Sequence, residues 1–555
     1  MKTHDVLIIG AGLAGMRAAV AIPPALDVAM VSKVHPLRSH SVAAEGGINA
    51  AIRPEDSWEA HAFDTIKGGD YLGDQDAVEI LCQEAAEEIM GLERMGALFS
   101  RDERGQIAQR PFGGADFPRT CYTADRTGHA MVHLLYEQVL KRHILVYEEW
   151  YVTSLIVEEG ICRGVVALDL RTGELSAIGA KAVILATGGY GRVYAISTNA
   201  LINTGDGMSM AYRAGAPLMD MEFVQFHPTT LKRTGILLSE AARGEGGYLI
   251  NSKGERFMQR YAPSKMELAS RDVVSRAEQQ EIDEGRGLDG CVLLDVRHLG
   301  RQRILERLPQ IRELALTYIG VDMIEAPVPI TPGVHYSMGG IKTNAWAETA
   351  IEGLYAAGEC ACVSVHGANR LGGNALLETV VFGKRAGMRA AERAKGIKKM
   401  EPSGRALVQD QELIRHLMER MKGEPVWQLR EELGKTMNQF VGIFRTREKI
   451  EKARECLLDL RKRVDQVALQ DKGHIFNMQL TAALELGSVY ELARVITESA
   501  LFREESRGAH YRLDFPKRDD QRWLVHTLAY STSSGPRLET LPVTVTRHPP
   551  QERSY

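Results

Sequence analysis

The sequence predicts an α/β protein built on a parallel nucleotide-binding sheet, with an inserted α+β segment and a helical C-terminal part. Three observations predict it. An apolar strand pattern runs straight into a glycine turn and a helix at the start of the chain. This strand-and-helix pattern breaks off near residue 221 and resumes near residue 337. From residue 400 to 506 the helical period dominates, as in "QELIRHLMERM", "EELGKTMNQFVGIF" and "EKIEKARECLLDLRKRV". At 555 residues the chain has room for a large buried core, and its length allows roughly three or four domains.

In chain order, "DVLIIGAGLAGMRAAVAI" reads as a buried strand, a glycine turn and a helix, and "DVAMVSK" as the second strand. Trp58 to Met95 reads mostly helical. "LLYEQVLKRHI" reads as a helix followed by one strand, "LVYEEWYV". Residues 152–189 alternate in strand fashion, with turns at Glu159-Gly160 and Thr172-Gly173. "GLYAAGEC" returns as a buried strand, and "NALLETVVFGKRAGMRAAERA" follows as a long helix. The tail after Arg507 is polar and contains prolines. The expected parts are residues 1–220 and 337–399 as one domain in two pieces, 221–336 as the insert, 400–506 as the helical domain and 507–555 as a C-terminal segment.

Composition excludes several classes. With 68 Lys and Arg against 72 Asp and Glu, the net charge of −4 offers no basic field for nucleic acid. The cysteines Cys82, Cys121, Cys162, Cys291, Cys360, Cys362 and Cys456 are scattered and contain no C-x-x-C. That argues against a disulfide framework and against a cysteine-ligated iron–sulfur cluster. No metal site is expected. The N-terminus enters a strand at once, without a signal or transit pattern. No apolar run reaches the length of a membrane span. The expectation is a soluble chain, or one held at a membrane only through partners.

Gly10, Gly12 and Gly15 form G-x-G-x-x-G directly after the first strand. The glycines allow a tight turn, close approach of backbone to a pyrophosphate, and packing of helix on strand. The helix N-terminus then offers free N–H groups to the phosphates. The second strand ends in Ser32-Lys33, without the acidic residue that takes the ribose hydroxyls of NAD, which points toward FAD. Three more glycine sites suit a flavin draped over the sheet: "ATGGYGR", "TGDGMSMAYRAGA" with Asp206, and "AAGE" with Glu359. The helix that starts near Asn374, with Ala375 and Leu376 in its first turn, carries partial positive charge at that end. Aimed at the flavin pyrimidine edge, it would stabilise the negative charge of the reduced ring. The fold class is therefore a Rossmann-like FAD-binding domain with an inserted α+β capping domain and a C-terminal helical domain.

The stretch "HPLRSHSVAAEGGINAA" mixes small residues and glycines around His40. Alone, it reads either as a surface histidine near a turn or as backbone packed against a ligand. From Arg38 to Gly47 it satisfies R-[S/T]-H-[S/T]-x-x-A-x-G-G. With "KGGDYLGDQDAV", "TADRTGHAM", "NTGDGM", "DMEFVQFHPT", "RGEGG", "HYSMGGI", "HGANRLGGNAL" and "RGAHYRLDFPKRDD", it resembles the flavoprotein subunits of succinate dehydrogenase and fumarate reductase over nearly the whole chain.

That resemblance implies FAD held covalently, with a ring nitrogen of His40 on the 8α carbon of the isoalloxazine. The cofactor contacts it implies are Gly10, Gly12, Gly15, Ser32, Lys33, Ser39, His40, Gly46, Gly47, Asp206, Glu359, Ala375 and Leu376. For the dicarboxylate, Arg370 and His335 would hold one carboxylate, and His227 and the Ser239 hydroxyl the other. Many members carry Thr at 239. The Arg fork matches two carboxylate oxygens. Arg271 matches the proton-transfer arginine, with Glu240 and Arg243 behind it. A guanidinium stays protonated at ordinary pH, so Arg271 would pass a proton on as it receives one. Substrate would lie between the flavin domain and the cap, with hydride exchanged at flavin N5 and Arg271 protonating the opposite carbon. A separate iron–sulfur subunit, a membrane anchor and a quinone pool are implied, with this chain peripheral on the cytoplasmic side.

The direction stays open. Glu45 stands where some fumarate reductases have Glu and many succinate dehydrogenases have Gln. The alternatives are a soluble fumarate reductase with another donor, an L-aspartate oxidase and a non-catalytic electron-transfer subunit.

Overall fold

The computed structural model describes residues 2–398 and 402–553. The expected boundary between 399 and 400 lies outside the described residues.

The central sheet grows from the apolar run at the start of the chain. Strand Lys2–Ile9 sits between Val28–Ser32 and Glu174–Leu185, parallel to both. Leu145–Glu148 extends the sheet beyond Val28–Ser32, and Leu354–Ala356 pairs with Glu174–Leu185, again in parallel. Val6, Leu7 and Ile8 are fully buried, as strands covered on both faces require. An antiparallel meander, Trp150–Glu158, Ile161–Asp169 and Glu174–Leu185, completes the sheet. Its first turn has Glu159 at φ 53° and Gly160 at φ 79°, the pair of positive angles a two-residue hairpin prefers.

The stretch read as one strand, "LVYEEWYV", is two. Glu149 takes φ 62° and breaks it. The half before it continues the parallel layer, and the half after it opens the meander. Local alternation cannot register that the two halves find different neighbours.

The helix Leu13–Ala21 leaves the glycine turn and packs on the helix Asn374–Gly396. A methyl group at Gly383 would meet the Ala14 carbonyl at 2.6 Å, and one at Gly387 the Ala18 carbonyl at 2.3 Å. This close crossing fixes where the long helix begins.

Between the two pieces of this layer runs a separate antiparallel sheet, in the order Val224–Leu231, Val328–Ser337, Val292–Asp295 and Tyr248–Ile250. It has its own apolar core, including Leu249, Val274, Val292 and Ile330. The helix Arg271–Asp283 packs on its first strand.

Four helices follow, Arg405–Glu419, Val426–Phe440, Arg447–Val464 and Met478–Phe502. Among the described residues no helix is long and apolar enough to cross a membrane. The polar tail is not irregular throughout. Strands Val525–Thr532 and Gly535–Pro542 form a hairpin, and the first pairs with Leu218–Met219. Two of its four buried positions, His526 and Thr527, are polar and paired. His526 meets Asp220 at 2.7 Å and Asp74 at 3.3 Å, and Thr527 donates to Glu222 at 2.7 Å. A hydropathy pattern does not reveal a strand whose buried face is built this way.

Candidate functional site

One cleft runs from the first glycine turn, along the carboxyl ends of the parallel strands, to the inner face of the inserted sheet. At its outer end Gly10 has φ 106°, and a methyl group there would strike the Ala186 carbonyl at 2.2 Å. One at Gly15 would strike the Gly10 carbonyl at 2.0 Å. These two positions demand glycine for the turn and for the helix packed on it. Gly12 lines the cleft, where only Ser41 and Ser39 stand near.

Ser32 and Lys33 also line the cleft. Lys33 Nζ donates to Asp206 at 2.7 Å, to Glu485 at 2.7 Å and to Thr204 at 2.9 Å. Asp206 thus places a carboxylate beside the end of the second strand. Its Oδ1 is buried without a hydrogen-bond partner, as are Ser39 Oγ and Thr187 Oγ1 in the same wall. Orphaned buried polar atoms are uncommon in a finished interior. Three of them along one cleft fit a ligand rich in hydroxyl, phosphate and amide groups, as FAD is.

His40 stands midway, half-buried in the cleft wall. Its Nδ1 accepts the Ala200 N–H at 3.2 Å, and its Nε2 lies 3.4 Å from the Asn199 amide. Burial, with Arg192 adding to it, pushes its pKa down to about 4. The ring is therefore neutral, and with Nδ1 accepting, Nε2 carries the proton and is the less firmly engaged nitrogen, with only the Asn199 amide at 3.4 Å. Gly46 and Gly47 line the cleft beside it. Gly46 makes room for Phe112, whose ring would clash with a methyl group there at 2.6 Å.

Glu359 accepts the Ser337 N–H and hydroxyl, both at 3.0 Å, and burial lifts its pKa to about 7 despite those bonds. Ala375 and Leu376 line the cleft in the first turn of the helix Asn374–Gly396. The positive end of that long helix therefore faces the cleft.

At the inner end the cations gather. Arg271 opens the helix Arg271–Asp283. Its Nε donates to Glu240 Oε2 at 2.7 Å and its Nη1 to Gln225 at 3.1 Å. Glu240 also accepts the Gly113 N–H at 2.7 Å, and Arg243 Nη2 lies 3.7 Å from it. Burial would raise the Glu240 pKa, but Arg271 and Arg243 outweigh it and hold the carboxyl ionised.

Arg370 lies over the Tyr336 ring at 4.3 Å, gives Nη1 to the Leu371 carbonyl, and keeps a buried Nε without a partner. Burial and Arg271 lower its pKa to about 9, so it is still charged at neutral pH. His227 and His335 meet edge to face at 4.8 Å. Burial, then the surrounding arginines, push both far below the usual imidazole range. His227 Nδ1 accepts the Thr229 N–H at 3.2 Å, and His335 Nδ1 pairs with Thr198 at 2.8 Å. Ser239 gives its N–H to Glu45 Oε2 at 3.2 Å and lines the same space. Burial, reinforced by Asp125, holds the Glu45 carboxyl well above its usual value.

The structure brings His227, Ser239, Glu240, Arg271, His335 and Arg370 onto one cleft. Arg243 lies one layer behind, 3.7 Å from Glu240 and hydrogen-bonded to the Glu267 carbonyl. Several positioning groups escaped the sequence reading. Gln225 stood in a quoted motif without a role, and Thr198, Asn199, Gly113 and Phe112 lay outside every motif. Only spatial proximity identifies them.

Comparison with known proteins gives the family of the chain. A family profile described as FAD binding domain matches residues 5–376. Another, described as fumarate reductase flavoprotein C-term, matches residues 430–555. The fumarate reductase flavoprotein subunit of Mycobacterium tuberculosis is 47% identical over 580 residues, covering 100% of this chain and 99% of that one. The succinate dehydrogenase flavoprotein subunit of Rickettsia bellii is 46% identical, covering 99% and 98%. The FrdA chain of E. coli quinol fumarate reductase superposes with a TM-score of 0.97 at 43% identity, covering 100% and 99%.

Proposed function

This chain belongs to the flavoprotein subunits of the succinate dehydrogenase and fumarate reductase family, and from that we propose that it interconverts succinate and fumarate at its buried cation cluster. It is an FAD-dependent oxidoreductase by that membership. The observation that carries the reading is Arg370. A guanidinium with an open buried Nε forms no ion pair among the described residues, although a second guanidinium, Arg271, stands close enough to lower its pKa. Uncompensated buried charge is costly, and a bound dicarboxylate removes the cost.

FAD, when bound, supplies or accepts the hydride. The rest is the chain's own work. Arg370 and His335 hold one carboxylate, with Tyr336 beneath the Arg370 plane. His227, donating from Nε2, and the Ser239 hydroxyl hold the other. Arg271 delivers the proton to the substrate carbon opposite the hydride, or takes it in the reverse direction, and Glu240 and Arg243 recharge it. Gln225 and Glu240 fix the Arg271 fork, and such fixed geometry supplies much of the rate.

His40 carries the flavin on Nε2, because its Nδ1 is occupied by the Ala200 N–H. Gly10, Gly12 and Gly15 take the pyrophosphate, Asp206 and Lys33 the ribose end, and Ala375 and Leu376 the pyrimidine edge. We read residues 1–220 and 337–399 as the FAD-binding domain, 221–336 as the cap, 400–506 as the helical domain and 507–555 as the C-terminal segment. Electrons pass to or from a separate iron–sulfur subunit, and a membrane anchor links that subunit to quinone on the cytoplasmic side. The name of the E. coli neighbour, a quinol fumarate reductase, supports a quinone-linked assembly. The test is anaerobic. Photoreduced protein is mixed with fumarate, and reoxidation of the flavin with formation of succinate is the expected result. Protein that binds FAD but neither reacts with fumarate nor binds malonate would refute the reading.

A further inference from the structure

The relay Arg271, Glu240, Arg243 ends in the interior. Glu240 and Arg243 are each 1% exposed. A proton spent at the substrate must therefore be replaced through a further group. Arg243 gives Nη1 to the Glu267 carbonyl, and its Nε and Nη2 have no hydrogen-bond partner. The Glu267 carboxylate cannot take the next step, because Arg256 and the Leu249 N–H already occupy it.

The other acid in the Arg243 field is Glu278. It lies seven residues after Arg271 on the helix Arg271–Asp283, two turns along the same face. It is 0% exposed, and neither carboxyl oxygen has a hydrogen-bond partner. The helix there belongs to the apolar core of the insert through Val274 and Ala277. Burial raises the Glu278 pKa well above the usual carboxylate range, opposed only by Arg243. Farther out, the Cys291 thiol feels both Glu278 and the surface pair Lys232–Asp289. Cys291 closes the turn at 288–291, and the Asp289 side chain in that turn is 83% exposed. Glu278 thus shares its electrostatic surroundings with a buried arginine and with the thiol that closes a surface turn. A carboxyl left with two open oxygens in an apolar core destabilises the fold, so its presence calls for a task.

We propose that Glu278 is the entry of the proton relay, recharging Arg243 through one bridging water and itself recharged from solvent past the turn at 288–291. This rests on the reading of Arg271 as proton donor. For each fumarate reduced, one proton leaves Arg271 for carbon. Glu240, Arg243 and Glu278 each pass one proton inward and regain one, and Glu278 takes its own from water. No relay group changes oxidation state, and the hydride travels separately. Succinate oxidation runs the same path outward.

The test uses the holoprotein with Glu278→Gln and Glu278→Leu. Single-turnover reoxidation of prereduced protein by fumarate should slow by about tenfold in both, while malonate affinity stays within about twofold. The solvent deuterium isotope effect on that step should rise. Glu278→Leu should melt no lower than the unaltered protein, and Glu278→Gln should lose the infrared carbonyl band of a buried carboxylic acid. Reoxidation within about twofold of normal in both variants would overturn the proposal. So would a melting point lowered in both, with flavin loss accounting for the slower reaction. If the unaltered protein itself fails to react with fumarate, the functional reading falls and this inference with it. If it reacts and the variants match it, this inference falls alone.

Discussion

Arg271 donates from Nε to Glu240 Oε2 at 2.7 Å, with both side chains buried and Arg243 3.7 Å behind the same oxygen. A carboxylate between two guanidiniums is shared. Whichever arginine gives up a proton, the other cation still offsets the carboxylate charge. In the proposed relay Arg271 would pass a proton on only as it receives one through Glu240, because a guanidinium stays protonated at ordinary pH.

Glu240→Gln removes the proton acceptor of the relay and leaves Arg271 in place. Turnover in both directions should fall by about tenfold, with malonate affinity nearly unchanged. Steady-state assays paired with a malonate titration check this. A rise in the Michaelis constant without loss of turnover would show that Glu240 only orients Arg271.

His40→Ser should retain FAD, because the glycine turn and Asp206 are untouched. The flavin should then leave with the supernatant after acid precipitation, whereas the unaltered protein keeps it in the pellet. Succinate oxidation should suffer more than fumarate reduction, since the untethered flavin is a weaker oxidant. A pellet from unaltered protein without flavin would disprove the covalent link.

Arg370→Lys keeps the charge and loses the fork. A charge-assisted bond is worth about 1.5–3 kcal/mol, so malonate and succinate should bind roughly ten- to a hundredfold more weakly. Flavin content should not change. Unaltered binding of both ligands would make Arg370 a structural residue.

Stability should fall on both sides of neutral pH. Burial lowers the His61 pKa from 6.5 to about 4. Between those values the unfolded chain binds the proton and the folded chain does not, so stability is lost as pH falls. His526 behaves oppositely. Burial would lower its pKa, but Asp220 and Asp74 outweigh this and raise it to about 10. Its contribution is complete below pH 6.5 and is lost as pH rises toward 10. Melting temperatures across pH should show both limbs, and His526→Gln should flatten the alkaline one. An alkaline limb unchanged in that variant would rule His526 out as its source.

Much of the fold was legible because the chain announces it locally. The apolar strand before Gly10, the two-residue turn at Glu159-Gly160 and the long amphipathic helix from Asn374 all follow from neighbouring residues. The break at Glu149 and the hairpin after Val525 were not legible, because each depends on partners far along the chain. The site divides in the same way. His40, His227, Ser239, Glu240, Arg271, His335 and Arg370 stood in motifs, and the cleft gathers them, with Arg243 behind Glu240. Gln225, Thr198 and the Gly113 N–H act by position alone. Glu278 carried no signal at all, since a single Glu in a charged helix reads as surface.

The central claim is that Arg271 transfers the proton, and Arg271→Lys tests it most directly. Lysine keeps a cation but shortens the reach and breaks the fork that meets Glu240 and Gln225. The measurement is single-turnover reoxidation of prereduced protein by fumarate, run beside a malonate titration. The account predicts reoxidation slowed by about a hundredfold or more, with malonate still bound. Near-normal reoxidation in Arg271→Lys would contradict it.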